Sequence, residues 1–182
     1  MLKALLASVR RKPLKVWFHS AYRLPLSGTE GSTAMDPRRA NHAMHYLLKE
    51  HALREEDLVT PRPVSYADLQ RVHTHDWLES LSRASTLAHV FAVDEADVVV
   101  DELLGSVRLA CGGTVEAAQR ALELKHPMLN MLGGFHHAFP SRGVGFCPVN
   151  DVAVAVAVLR AQGFSGKVAV IDLDAHPPDG TA

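Results

Sequence analysis

Short apolar runs alternate with longer helix-like stretches along this chain. Val16 to Phe18 is a compact apolar run that predicts a first strand. A loop rich in Gly, Ser and Thr follows, from Leu26 to Thr33. Asp36-Pro37 then opens a helix, with Asp as N-cap and Pro in the first turn. The spacing of Met44, Tyr46 and Leu48 carries it to about His51. Leu58-Val59 reads as a further strand, stopped by the proline-rich stretch Pro61 to Pro63. Ser65 to Val72 and His75 to Leu81 predict two short helices, and Asp97 to Leu124 a longer one interrupted at Gly112-Gly113. Met128 to Leu132 is a compact apolar run ending in Gly133-Gly134, which reads as a buried strand entering a tight loop. Asn150 to Gln162 predicts another helix: Asn150 suits the N-cap, Asp151 the positive helix end, and Gly163 the stop. Lys167 to Leu173 is a β-branched run that predicts a strand.

Strands alternating with helices imply an α/β fold with a mainly parallel sheet flanked by helices. In open α/β sheets, ligands bind in the crevice beyond the carboxyl ends of the strands. Two predicted strand ends carry dense polar sequence, Gly133-Gly134-Phe135-His136-His137 and Asp172-Leu173-Asp174-Ala175-His176. Both fall where a site belongs.

Composition narrows the classes. The 182 residues, 47% hydrophobic and 21% charged, suit one soluble domain with a sizeable core. Nineteen basic and twenty acidic residues give a net charge of −1, which speaks against a general affinity for nucleic acid or an anionic membrane surface. The longest apolar run, Val152 to Leu159, is far shorter than the roughly 20 residues of a membrane helix. Cys111 and Cys147 form no CxxC pair and no disulfide framework, consistent with a reducing compartment. The cluster Arg10, Arg11 and Lys12 is not followed by an apolar segment of signal-peptide type. A cytoplasmic protein is expected, and no internal repeat or domain boundary stands out within 1–182.

Asp172, Asp174 and His176 are spaced by two, so in an extended segment they point the same way. Asp174 and His176 can offer an oxygen and a nitrogen to one cation, both good zinc donors. The plainer reading is helix-capping aspartates and a loop histidine. His136 and His137 are adjacent, so both face one cavity only if they sit in a turn, which Gly133 and Gly134 permit. A histidine so placed can act as general base and then acid; the plainer reading is a pair of solvent-facing loop residues. Asp172 and Asp179 can each fix the tautomer of an imidazole, or simply build turns, as Pro177-Pro178-Asp179-Gly180 suggests for Asp179. Gly143 and Gly145 allow close approach to a ligand, and Phe146 can wall a narrow channel or, with Cys147, join the core. His19, His42, His45, His51, His73, His75, His89 and His126 lack ligand spacing and read as surface or satisfied interior residues.

Taken in order, these segments resemble the histone deacetylase family, including the bacterial deacetylase-like and acetoin-utilisation proteins. The pieces that match are Gly133-Gly134-Phe135-His136-His137-Ala138, then Gly145-Phe146-Cys147 with Asn150-Asp151, then Ile171-Asp172-Leu173-Asp174-Ala175-His176 with Asp179-Gly180-Thr181. The upstream Val72-His73-Thr74-His75-Asp76-Trp77-Leu78-Glu79 is similar to a helix of the family. Gly112-Gly113-Thr114 and Gly134-Phe135-His136-His137 lean toward its class IV branch. The resemblance implies an arginase/deacetylase-like fold and zinc-dependent hydrolysis of an acyl-lysine amide or a similar acylated amine. It implies that Asp174 and His176 are zinc ligands and that His136 and His137 are the catalytic pair, His137 being the general base and acid. Asp172 matches the partner of His136, and Asp179 that of His137. Gly145 and Phe146 match positions beside the acyl-lysine channel, and Asp172, Asp174 and His176 the surroundings of a structural potassium.

Two departures from the family's pattern stand out. Pro177 and Pro178 replace its usual second histidine and glycine, which stiffens the loop without removing a ligand. The chain also reaches Ala182 six residues after His176. The family's third zinc ligand, an aspartate, and its oxyanion-stabilising tyrosine lie further downstream. A C-terminally truncated domain is therefore expected, the N-terminal half of the catalytic unit, with an exposed sheet edge, weak zinc binding and no turnover on its own. The alternatives are an arginase-like hydrolase with two metals and a non-catalytic module that keeps an acyl-lysine pocket.

Overall fold

The computed structural model describes residues 14–24 and 36–182. The cluster of Arg10, Arg11 and Lys12 and the 26–33 loop lie outside them. A three-stranded parallel sheet organises the described residues, with β1 (Val16–Trp17) between β2 (Leu58–Val59) and β3 (Leu129–Asn130). Val16 pairs with Leu58 on one side and Leu129 on the other. The central strand is covered on both faces, Val16 fully buried and Trp17 nearly so, as parallel sheets require.

Around it run α1 (Arg39–Lys49), α2 (Tyr66–Leu69), α3 (His75–Ser80), α4 (Ala84–Phe91), α5 (Val100–Leu124) and α6 (Asp151–Ala161). In α1 the buried Ala40 and Met44 stand one turn apart, and Met44 packs with Val16 and Leu53. Asp36 sits two residues ahead of the helical cap, Arg38, where its carboxylate accepts the Arg38 N–H at 2.7 Å. It braces the entry turn rather than capping the helix. The helix ends at Lys49 because His51 turns left-handed, φ 54°. Ser65 and Thr74 cap α2 and α3 through their hydroxyls, and Asn150 caps α6. The larger core joins Tyr22, Leu87, Phe91, Leu103, Val107 and Val154. None of the described helices is long and apolar enough to cross a membrane.

Besides the cap at Asp36, four features differ from the sequence-based expectation. Helix α4 goes beyond the sequence-based reading: its buried Leu87, Val90 and Phe91 do follow i, i+3, i+4 spacing, but over only eight residues the pattern spans little more than one turn. The break at Gly112-Gly113 does not occur, and α5 runs 25 residues without interruption. These glycines are there for close packing. A Cβ on Gly112 would collide with the Arg62 carbonyl oxygen, and one on Gly113 with the Tyr22 hydroxyl. The run Met128 to Leu132 shortens to Leu129–Asn130 at the sheet edge, with Leu129 42% exposed rather than buried. Lys167 to Leu173 forms no strand: among the described residues it has no ladder partner, and Ile171 and Leu173 are 83% and 92% exposed. β-Branched composition does not make a strand without a neighbour to bond.

The glycine packing is testable. A methyl group added at Gly105 would meet nothing within 4 Å, so Gly105→Ala should stabilise by about 1 kcal/mol through helix propensity. Gly112→Ala should instead destabilise by roughly 3 kcal/mol, because backbone atoms of 62–64 cannot yield. Urea unfolding midpoints read both; equal shifts for the two variants would show that α5 does not meet the 62–64 segment closely.

Candidate active site

The carboxyl end of β3 runs into Gly133 and Gly134, whose φ values of 151° and 73° suit glycine alone. A Cβ on Gly133 would run into the Asp151 carboxylate. The turn they make is held by that carboxylate, which is 1% exposed and accepts the Gly134 and Phe135 N–H groups at 3.1 and 2.8 Å. Asp151 also accepts the Thr114 hydroxyl at 2.6 Å. Because His136 and His137 leave a turn rather than a strand, their rings lie on the same side, with centroids 4.2 Å apart and planes tilted by 54°.

Each imidazole has its own carboxylate. His136 Nδ1 donates to Asp172 Oδ2 at 2.8 Å, and His137 Nδ1 donates to Asp179 Oδ1 at 2.6 Å. This assigns the proton of the neutral rings to Nδ1 and leaves the Nε2 lone pair for chemistry. Asp172 is held below the usual carboxylate range first by the Asp174 N–H and then by His136; for Asp179 the first cause is His137. Pro177 and Pro178 shape the loop that delivers Asp179. Gly180 N–H donates to the His136 carbonyl at 2.9 Å, which closes this loop onto the histidine turn.

Asp174 and His176 come together as a pair. His176 Nδ1 stands 2.8 Å from Asp174 Oδ1, which also accepts the His176 backbone N–H at 2.8 Å. That backbone bond, followed by the ring, holds the Asp174 carboxyl below its usual range. The His176 ring lies edge-on to His137 with centroids 6.0 Å apart. The two polar clusters thus meet, although only the first follows a strand. Among the described residues no group of three His, Cys, Asp or Glu side chains is placed to hold a metal ion. The expected potassium surroundings gain no support, since Asp172 is turned to His136 and to the Asp174 N–H.

Gly145 and Phe146 form the tip of a hairpin turn between Val144 and Cys147, with φ values of 56° and 65°. A Cβ on Gly145 would press on His137 Cδ2 at 2.7 Å. Phe146 is held in a left-handed conformation that aromatic residues rarely adopt. Its N–H donates to the Val90 carbonyl at 2.9 Å, and its ring packs on Phe91 at 6.3 Å. Burial pushes the Cys147 thiol up to about 12, so it is no thiolate nucleophile at neutral pH.

A profile of the histone deacetylase domain matches residues 33–182. The chain belongs to the histone deacetylase family. It is 31% identical over 174 residues to histone deacetylase 2 of Arabidopsis thaliana, covering 92% of this chain and 44% of that protein. To the acetoin utilization protein AcuC of Bacillus subtilis it is 34% identical, covering 74% and 37%. The solved structure of a histone deacetylase homologue complexed with SAHA superposes with a TM-score of 0.72 at 26% identity, covering 93% of this chain and 46% of that one. The chain spans less than half the length of these two curated relatives.

In this family member, the groups that hold the site from behind carry little sequence signal. His73 lacks ligand spacing, and the structure makes it a satisfied interior residue. It is 3% exposed, with Nδ1 on the Phe139 carbonyl at 3.1 Å and Nε2 accepting the Asn150 N–H at 2.9 Å. Thr114 stands 37 positions from Asp151, and nothing in spacing links them. Asp151 carries only a helix-end signal.

Burial lowers His73 below its ordinary value, outweighing the opposing carbonyl bonds. The unfolded chain therefore takes up this proton first. The contribution of His73 to stability is complete above about pH 6.5 and is lost as pH falls below that value toward the folded one. Thermal melts from pH 7.5 down to about 5.5 should show a decline that His73→Gln largely removes. Parallel declines in the two proteins would place the proton uptake elsewhere.

Proposed function

We propose that this chain carries the proton-transfer half of a zinc-dependent deacylase site, acting on the amide of an acyl-lysine or of a similar acylated amine. The observation behind this reading is the pairing of each tandem histidine with its own carboxylate, beside the Asp174–His176 pair. Membership of the histone deacetylase family supports the reaction class.

Asp174 and His176 suit zinc as donors. Their facing oxygen and nitrogen, 2.8 Å apart, share a proton whose place a cation can take. A catalytic zinc centre uses three protein ligands and one open position, so this pair supplies two of the three. When bound, zinc polarises the acyl carbonyl and acidifies water.

The chain's own residues account for the protons. His137 Nε2 accepts a proton from the attacking water, and Asp179 stabilises the imidazolium across the 2.6 Å bond. That same proton then passes from His137 Nε2 to the departing amine, while His136, its Nδ1–H held by Asp172, keeps its Nε2 lone pair turned to the reacting groups as a hydrogen-bond acceptor. Gly145 leaves room beside the His137 ring, and Phe146 walls the channel for the acyl-lysine stem. Asp172 and Asp179 are committed to imidazoles, which favours this reading over an arginase-like cluster of two metals.

Calorimetric titration of the 182-residue chain with zinc should show one weak site, with proton release. Asp174→Ala or His176→Ala should weaken it by more than about 10-fold, and SAHA should tighten it only where both ligands are present. Turnover of an acetyl-lysine peptide should stay at the blank rate. Zinc binding indifferent to both substitutions would overturn the assignment, and clear turnover would overturn the expectation of an incomplete centre.

A further inference from the structure

The first turn of α6 holds two adjacent side chains that the proposed chemistry leaves unused. Asn150 is fully buried, and every polar group it has is engaged. Its Oδ1 caps the helix at Ala153 N–H, 2.9 Å, and its backbone N–H donates to His73 Nε2. Its amide nitrogen donates to the Ala138 carbonyl at 3.4 Å and to the Thr181 hydroxyl at 2.9 Å. Asp151, next in sequence, takes the Phe135 and Gly134 N–H groups.

The bracketing is close. Phe135 precedes the tandem histidines and is held by Asp151; Ala138 follows them and is held by Asn150. Thr181 extends the hold to the loop that presents Asp179. A helix cap needs one acceptor only, and any small polar residue would serve. The two N–H donors of Asn150, and a carboxylate desolvated to take three donors, are more than capping requires. Behind Asp151 the network continues inward. Thr114 accepts from Asn130 Nδ2 at 2.9 Å, and Asn130 Oδ1 accepts from the fully buried Tyr22 hydroxyl at 2.8 Å. The clamp is therefore tied to α5, to β3 and to the segment after β1.

We infer that Asn150 and Asp151, backed by Thr114, are positioning residues that set the His136–His137 turn against the Asp172 and Asp179 carboxylates. Their catalytic consequence rests on the deacylase reading above; their geometric effect does not.

Proton NMR of the wild-type chain at fixed neutral pH reads the effect directly, through the imidazole Nδ1–H signals shared with Asp172 and Asp179. Thr114→Val is isosteric and removes the hydroxyl from Asp151. It should cause loss of the His137 signal by exchange, and Thr114→Ser should restore it. Asn150→Asp keeps the cap acceptor and removes both side-chain donors, and should cause the same loss with helix content unchanged; if it does not fold, Thr114→Val decides. Val107→Ala, a packing lesion at a buried α5 position with no polar partner, should lower stability and keep both signals. Signals in Thr114→Val that match wild type would overturn the inference. Zinc titration separates the two claims. If the signals respond but zinc ignores Asp174 and His176, the clamp stands and the deacylase reading falls; the reverse pattern removes the clamp alone.

Discussion

Two neighbouring residues can serve one cavity only if the backbone between them leaves the strand, and here a buried carboxylate makes it do so. Asp151 gathers two successive N–H groups at the end of β3, and the turn those bonds define puts both histidine rings on one side. An unpaired carboxylate at 1% exposure would be costly. Three hydrogen-bond donors offset that cost, two of them backbone groups that would otherwise be orphaned in the turn. The left-handed glycines, the cap of α6 and the approach of the Asp179 loop are all conditions for this arrangement. Remove the carboxylate and the turn loses its reason to be there.

The α/β class and the two polar clusters are legible in the sequence because both are written locally. Val16, Leu58 and Leu129 each lie in short apolar runs, and the cap Asn150 stands next to the helix it caps. The site carboxylates Asp172 and Asp179 are legible only through the order of motifs. What stays hidden depends on contacts distant in sequence. Gly112-Gly113 reads as a helix break until Arg62 and Tyr22 are found against it, and then the absence of a side chain is what lets α5 run on. Thr114, His73 and Asn150 join across gaps that no periodicity records.

The segment from Lys167 to Leu173 marks the boundary between propensity and structure. Its β-branched composition favours a pleated, half-buried surface, but β-propensity is mostly packing against neighbours. Among the described residues nothing pairs with it, and its apolar side chains stay in solvent. Its polar end is nonetheless in place, because Asp172 is held by His136, and Asp179 further on by His137. The site is thus assembled by side-chain bonds to the histidine turn and not by a sheet ladder beneath it.

The two histidine–carboxylate pairs are unequal, and under the deacylase function proposed above the inequality bears on their division of labour. The His136 and Asp172 side chains are 10% and 22% exposed, against 18% and 52% for His137 and Asp179. A group that trades protons with water in each cycle is better placed where its partner carboxylate can be resolvated as charge moves, which is the setting of Asp179. On the same proposed reading, the more enclosed pair suits a steadier role, keeping the Asp172 charge where lower solvent exposure strengthens electrostatic interactions. Gly145 sharpens the distinction, since its backbone presses so closely on the His137 ring that no side chain fits between. The geometry that separates the two imidazoles is therefore steric at His137, through the Gly145 hairpin, and dielectric at His136, through its enclosure with Asp172.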